Sequence, residues 1–183
     1  MFKRRSGEAR ILERIFGEKA EIIYDRGGAS ILRVNESFLT YFFIGRYFAR
    51  YTSEQYYVTI AVYESKQEIG DLGEARIRIK KGILGIGSKI MVRGRGLLYE
   101  LVDELIRTSD MRKSILRTLY EELIIKRVDR EMLEYLNGRI SGSSLVVIGR
   151  TRAFYTLNPV KAWRNIVELN RLLLRSIIEK INQ

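Results

Sequence analysis

Residues 38–63 read FLTYFFIGRYFARYTSEQYYVTIAVY, and residues 74–81 read EARIRIKK. The first stretch holds ten of the nineteen aromatic residues, interleaved with Ile, Val and Thr and broken near Thr52 to Gln55. Aromatic and β-branched side chains suit a pleated, half-buried surface, so this stretch predicts two or three strands at the centre of a sheet. The second stretch alternates. Ile77 and Ile79 fall on one face and Arg76, Arg78 and Lys80 on the other, which predicts a half-buried strand.

Toward the amino terminus, Ile22 to Tyr24 and Ile31 to Val34 are short apolar runs separated by Asp25, Arg26, Gly27 and Gly28, a hairpin pattern. Before it, Ile11, Leu12, Ile15 and Phe16 recur at helical spacing up to Gly17 and predict an opening amphipathic helix. Past the glycines at 82, 85 and 87, Lys89 to Val92 reads as one more strand. Beyond Gly96 the period becomes 3.6. Leu98, Leu101, Val102, Leu105 and Ile106 make one helical stripe, and Met111, Ile115, Leu119 and Leu123 make a second. Asp129 suits the cap of a short third helix ending at Asn137 and Gly138, and Leu145 to Ile148 reads as a buried strand between glycines. Asn158 and Pro159 then open a last helix to about Ile181, because an N-cap side chain precedes the one position where a missing amide costs nothing. Its apolar stripe includes Val160, Trp163, Val167, Leu174 and Ile177, opposite Arg164, Glu168, Arg171, Arg175 and Glu179, whose spacing favours Arg/Glu pairs along the helix.

The expected fold is therefore a single α+β domain over residues 1–183. A mostly antiparallel sheet, from the β-rich part at about 20–93, packs against helices from the helix-rich part at about 97–183.

The chain has no cysteine and no histidine. This excludes disulfides, thiolate metal sites, imidazole ligands and every catalytic constellation built on Cys or His. No cofactor is expected, and no residue cluster reads as a metal site apart from the acid-x-lysine triplet of Glu64, Ser65 and Lys66. Phe2, Lys3, Arg4 and Arg5 are followed by Glu8 and Glu13 rather than by an apolar stretch of signal length, so a cytoplasmic location without membrane insertion is expected. Arginine outnumbers lysine by 23 to 10 and the thermolabile residue types are few, a composition that suits a heat-adapted protein.

The net charge of +11 is uneven: residues 1–51 carry +4, 52–96 carry +3, 97–136 carry −2 and 137–183 carry +6. Between Arg76 and Gly96 stand Arg76, Arg78, Lys80, Lys81, Lys89, Arg93 and Arg95, and no acid. Cations on alternate strand positions lie about 6.6–6.8 Å apart, close to a phosphate repeat, so these seven are the candidate nucleic-acid-binding residues. A merely solvated strand face is the other reading. Gly82, Gly87, Ser88 and Lys89 approach the phosphate-loop pattern, but the lysine does not directly follow the second glycine, and Ile90 to Val92 read as strand where that loop opens a helix. Arg93-Gly94-Arg95-Gly96 has the composition of an RNA-binding segment but, as a single copy, reads rather as a turn into the helix at Leu97. In residues 46–51, Arg46, Tyr47, Phe48, Arg50 and Tyr51 interleave cations and aromatics, as a stacking surface or as core.

Glu64, Ser65 and Lys66 end an apolar strand in the acid-x-lysine order of metal-dependent nucleases, with Asp25 or Glu36 as the second carboxylate and Glu8 or Glu13 on a neighbouring helix. This resembles the restriction-endonuclease superfamily in outline, although that fold needs a helix where residues 70–81 read as loop and strand. Glu64, Lys66 and Asp25 are the candidate catalytic residues. Three functions follow in order: a non-enzymatic structural or interaction protein with a protein partner or a second copy of itself, a nucleic-acid-binding protein using the basic strand and the basic carboxyl-terminal face, and a metal-dependent, nuclease-like hydrolase.

Overall fold

The structure, a computed structural model, describes residues 6–48, 54–65, 69–80, 82, 87–135, 140, 142–152 and 158–183. Helix α1, Gly7–Phe16, is capped by Ser6, whose hydroxyl accepts the Ala9 amide. Strands β1, Ala20–Arg26, and β2, Ala29–Glu36, are joined through Gly27 and Gly28 as the expected hairpin. The aromatic stretch makes two strands, β3, Leu39–Phe48, and β4, Gln55–Glu64. Then come β5, Glu74–Lys80; β6, Lys89–Arg95; α2, Gly96–Arg107; α3, Ser109–Arg117; β7, Tyr120–Arg127; α4, Arg130–Tyr135; β8, Ser144–Arg152; and α5, Pro159–Ile181.

The fold is α+β. All eight strands join one sheet in the order β1-β2-β3-β4-β8-β7-β5-β6, and every neighbouring pair is antiparallel. Helices α1, α2, α3 and α5 cover one face. There Leu12, Leu98, Ile115, Trp163 and Leu174 pack on Leu32, Phe42, Ala61, Val147, Ile125 and Ile77. On the opposite face, Val128, Met132, Leu133 and Ile140, from α4 and its flanks, cover Phe43, Ile60, Val62 and Val146. Asn158 caps α5 by accepting the Lys161 amide, and Asp129 caps α4 by accepting the Met132 amide. No helix among the described residues is long and apolar enough to cross a membrane.

Two expectations need correction. Met111, Ile115, Leu119 and Leu123 are not one helical stripe: α3 stops at Arg117, where the Thr118 amide and hydroxyl both donate to the Ile115 carbonyl. The chain then turns extended and becomes β7, with Leu119 exposed and Leu123 buried opposite Ile77 and Gly149. β7 pairs β5 on one side and β8 on the other, so it hydrogen-bonds two edges that a helix there would leave open. The helix-rich part thus supplies two inner strands of the sheet. In addition, β8 runs through Gly149 to Arg152, so that glycine lies inside the strand and does not end it.

Over Gly149 lies the ring of Tyr120, fully buried. It crosses β8 to bring its hydroxyl to Thr59 on β4, while the Asn170 amide of α5 donates to the same hydroxyl. Burial pushes the Tyr120 phenol up to about 12, against the smaller opposing effect of these two partners. The unfolded chain ionises this phenol near pH 10, so the stabilisation is complete below pH 10 and is lost as pH rises toward 12. At about 1.4 kcal/mol per unit, the loss is on the order of 2–3 kcal/mol. Urea unfolding of the wild type across this range should show that decline, and Tyr120→Phe should flatten it. An equally steep decline in the variant would assign the effect elsewhere, Tyr57 first, whose phenol burial also raises to about 12.

Candidate nucleic-acid interface

The alternation in β5 sends Ala75, Ile77 and Ile79 into the helix-side core and leaves Glu74, Arg76, Arg78 and Lys80 on the other face. In β6, Arg93 lies directly opposite Arg76, Lys89 opposite Lys80, Met91 opposite Arg78 and Arg95 opposite Glu74. Six of the seven cations singled out in the sequence therefore share one face of one hairpin; Lys81 lies outside the described residues. A shallow pocket of about 240 Å³ opens between the strands, lined by Glu74, Arg76, Arg78, Met91, Arg93 and Gly94. Gly94 is needed for this pairing. A Cβ there would stand 2.0 Å from the Glu74 carbonyl oxygen, so Arg93 to Gly96 is the end of a tightly paired strand running into α2. Lys89 opens a strand and not a helix, as its distance from the phosphate-loop order implies.

Some of this charge is answered. Glu122 of β7 lies 3.3 Å from Arg78 and 3.9 Å from Arg76, and Glu74 lies 3.5 Å from Arg76. Lys80, Lys89, Arg93 and Arg95 are exposed and form no ion pair among the described residues. The same face continues across the sheet. Arg150 of β8 is opposite Glu122, Arg152 is opposite Tyr56 of β4, and Tyr56 is opposite Tyr47 of β3. Arg152 is held by Glu121 at 2.7 Å and Glu54 at 3.1 Å, and the Tyr56 hydroxyl donates to Glu54. The apolar run Leu145 to Ile148 stops short of these two arginines. The alternation of Arg150, Thr151 and Arg152 was the signal, with Thr151 buried between exposed cations.

Of the interleaved segment at 46–51, Tyr47 is on this face and Arg46 is on the other, near Tyr57; residues 49–51 lie outside the described residues.

Of the candidate catalytic residues, Asp25 and Glu64 do not come together. Asp25 is opposite Ser30, and its row runs through Ile44 to Thr59; Glu64 stands five residues further along β4, about 17 Å by the strand rise. Two carboxylates that far apart cannot share an ion at bonds of about 2.0–2.1 Å. Asp25 instead accepts from the Ser6 amide and the Ser30 hydroxyl, fixing the entry to α1. Glu8 accepts from the Tyr57 hydroxyl. Glu36 and Glu64 line one groove of about 1310 Å³ at the far end of the sheet, but Glu36 takes both prongs of Arg171, at 2.5 and 2.7 Å. Arg171 therefore reaches across the fold, with its guanidinium 4.9 Å above the Phe16 ring, while Arg175 and Glu179 pair along α5 as the spacing implies. Lys66 lies outside the described residues, and no group of three acidic side chains suited to a metal ion occurs among those described.

Compared with protein-family models, curated proteins and solved structures, the chain matches none.

Proposed function

We propose that the protein binds nucleic acid through its phosphates, on the β5–β6 end of the open sheet face. One observation carries this reading: like charges stand directly opposite each other twice, Arg76 against Arg93 and Lys80 against Lys89, on an exposed face. Directly opposed like charges destabilise a sheet by about 0.2–1 kcal/mol each. Glu122 and Glu74 relieve Arg76, whereas the lysine pair has no acid beside it among the described residues. A polyanion laid across the hairpin would relieve both pairs and release its own counterions.

The test is oligonucleotide binding as a function of salt. Affinity should fall steeply with salt, and in the Arg76→Ala, Arg78→Ala, Lys80→Ala triple variant the slope should shrink by up to about one unit for each cation that no longer meets a phosphate. Lys89→Glu adds a second arm: it should weaken binding while stabilising the free protein by about 0.2–1 kcal/mol, since it turns a repulsive cross-strand pair into an attractive one. No binding at low salt, or an unchanged slope in the triple variant, would leave the cations as solvated surface. The structural or interaction protein that the sequence alone puts first would then be the better reading.

A further inference from the structure

Resting on that reading, we infer that the ligand is an unpaired strand, DNA or RNA, with a base stacked on Tyr47. On the open face Tyr47 and Tyr56 lie stacked, centroids 5.5 Å apart and planes 17° from parallel. The Arg150 guanidinium lies 5.9 Å from the Tyr56 ring centre, and Tyr47 remains 39% exposed. Arg150, Tyr56 and Tyr47 thus form a flat column at one side of the face.

The middle ring of the column, Tyr56, is held in place. Tyr56 donates to Glu54 at 2.7 Å, Glu54 pairs with Arg152, and Arg152 pairs with Glu121. Such anchoring lowers the conformational cost of stacking a ligand on it. An exposed aromatic ring stacked on an anchored one, as Tyr47 is on Tyr56, takes the π-face of any unpaired base. A duplex keeps those π-faces inside its own stack and offers phosphates and base edges instead.

One member of the column, Arg150, shares a row of the sheet with the basic hairpin: Val58, Arg150, Glu122, Arg78 and Met91 are successive register partners, and Tyr47 and Tyr56 lie one row along, with Arg152. From β3, which carries Tyr47, to β5 is four strand spacings, about 19 Å, which a strand of a few nucleotides spans. Glu122 lies on this path with its charge taken by Arg76 and Arg78, so a phosphate backbone meets the arginines there and not a bare carboxylate.

The experiment compares an oligothymidylate about 12 nucleotides long, which cannot pair with itself, with its duplex on oligoadenylate, by fluorescence anisotropy at fixed low salt. The single strand should bind about tenfold or more tighter than the duplex. Tyr47→Ala should remove most of that difference, leaving duplex binding and the salt slope unchanged. Tyr47→Leu keeps an apolar side chain without a flat ring, and it should behave the same way even if the alanine variant fails to fold. Equal binding of both forms, or full single-strand affinity in Tyr47→Leu, overturns the stacking role and leaves phosphate binding standing. Binding of neither form by the wild type overturns both readings.

Discussion

Trp163→Ala is expected to lower the free energy of unfolding by about 3–5 kcal/mol, the range for removing a large aromatic side chain from a core. Trp163 is 2% exposed and meets the edge of Tyr57 with ring centroids 5.3 Å apart. The space it would leave is bounded by elements that cannot close in, because α5 is held by α1, α2, α3 and β8 at once. Chemical denaturation of wild type and variant measures the cost, and Trp163→Phe, which keeps an aromatic ring in the site, should show a smaller loss. The wild type supplies its own check, since Trp163 is the one tryptophan. Its emission should be blue-shifted and poorly quenched by iodide. Emission like that of indole in water would mean that α5 is not docked on the sheet.

The elements legible in the sequence are those whose signal is local. The alternation of residues 74–80 places a strand and its two faces, and Asn158 with Pro159 places the start of α5. β7 was not legible, because Met111, Ile115, Leu119 and Leu123 keep a helical spacing across the end of α3. What makes 120–127 a strand is the pair of open edges on β5 and β8, which belongs to the sheet and not to the segment. The candidate site divides the same way. A run of cations without an acid is visible in one dimension, but its meaning depends on register. Register sets Lys80 against Lys89, adds Arg150 and Arg152 from far along the chain, and puts the Tyr47 and Tyr56 stack on the same face. It also separates Asp25 from Glu64, which spacing alone could not foresee.

The two faces of the sheet also differ in how they treat polar groups. On the helix face, Tyr120, Thr59 and Asn170 are buried and joined to one another, and Asn170 also donates to the Ile166 carbonyl; only its side-chain oxygen lacks a partner among the described residues. This small network sets the position of Tyr120 within an otherwise apolar layer. On the open face, charges are left facing one another across β5 and β6. A chain that leaves one buried side-chain polar atom without a partner among the described residues but tolerates opposed cations on an exposed hairpin departs from local consistency chiefly where a ligand would restore it.

Gly149→Ala should be among the most damaging single-methyl additions, costing about 3 kcal/mol or more, the upper end of what overpacking a core costs. A Cβ at residue 149 would sit 2.1 Å from Cε1 of Tyr120, 2.5 Å from Cζ and 2.8 Å from the hydroxyl oxygen. No real side chain tolerates such approaches, so the ring must move. It has little room to do so, being fully buried and tied by its hydroxyl to Thr59 and Asn170. Glycine inside a central strand ordinarily weakens it, and here the ring of a neighbouring strand fills the space that a side chain would occupy. The two residues should therefore couple. In a Tyr120→Ala background the further change Gly149→Ala should cost little, because the atoms it would strike are gone, giving a coupling energy of about 2–3 kcal/mol in a double-mutant cycle. Additive costs from the two substitutions would mean that the ring does not lie over Gly149, and the crossing of Tyr120 from β7 to β4 would have to be redrawn.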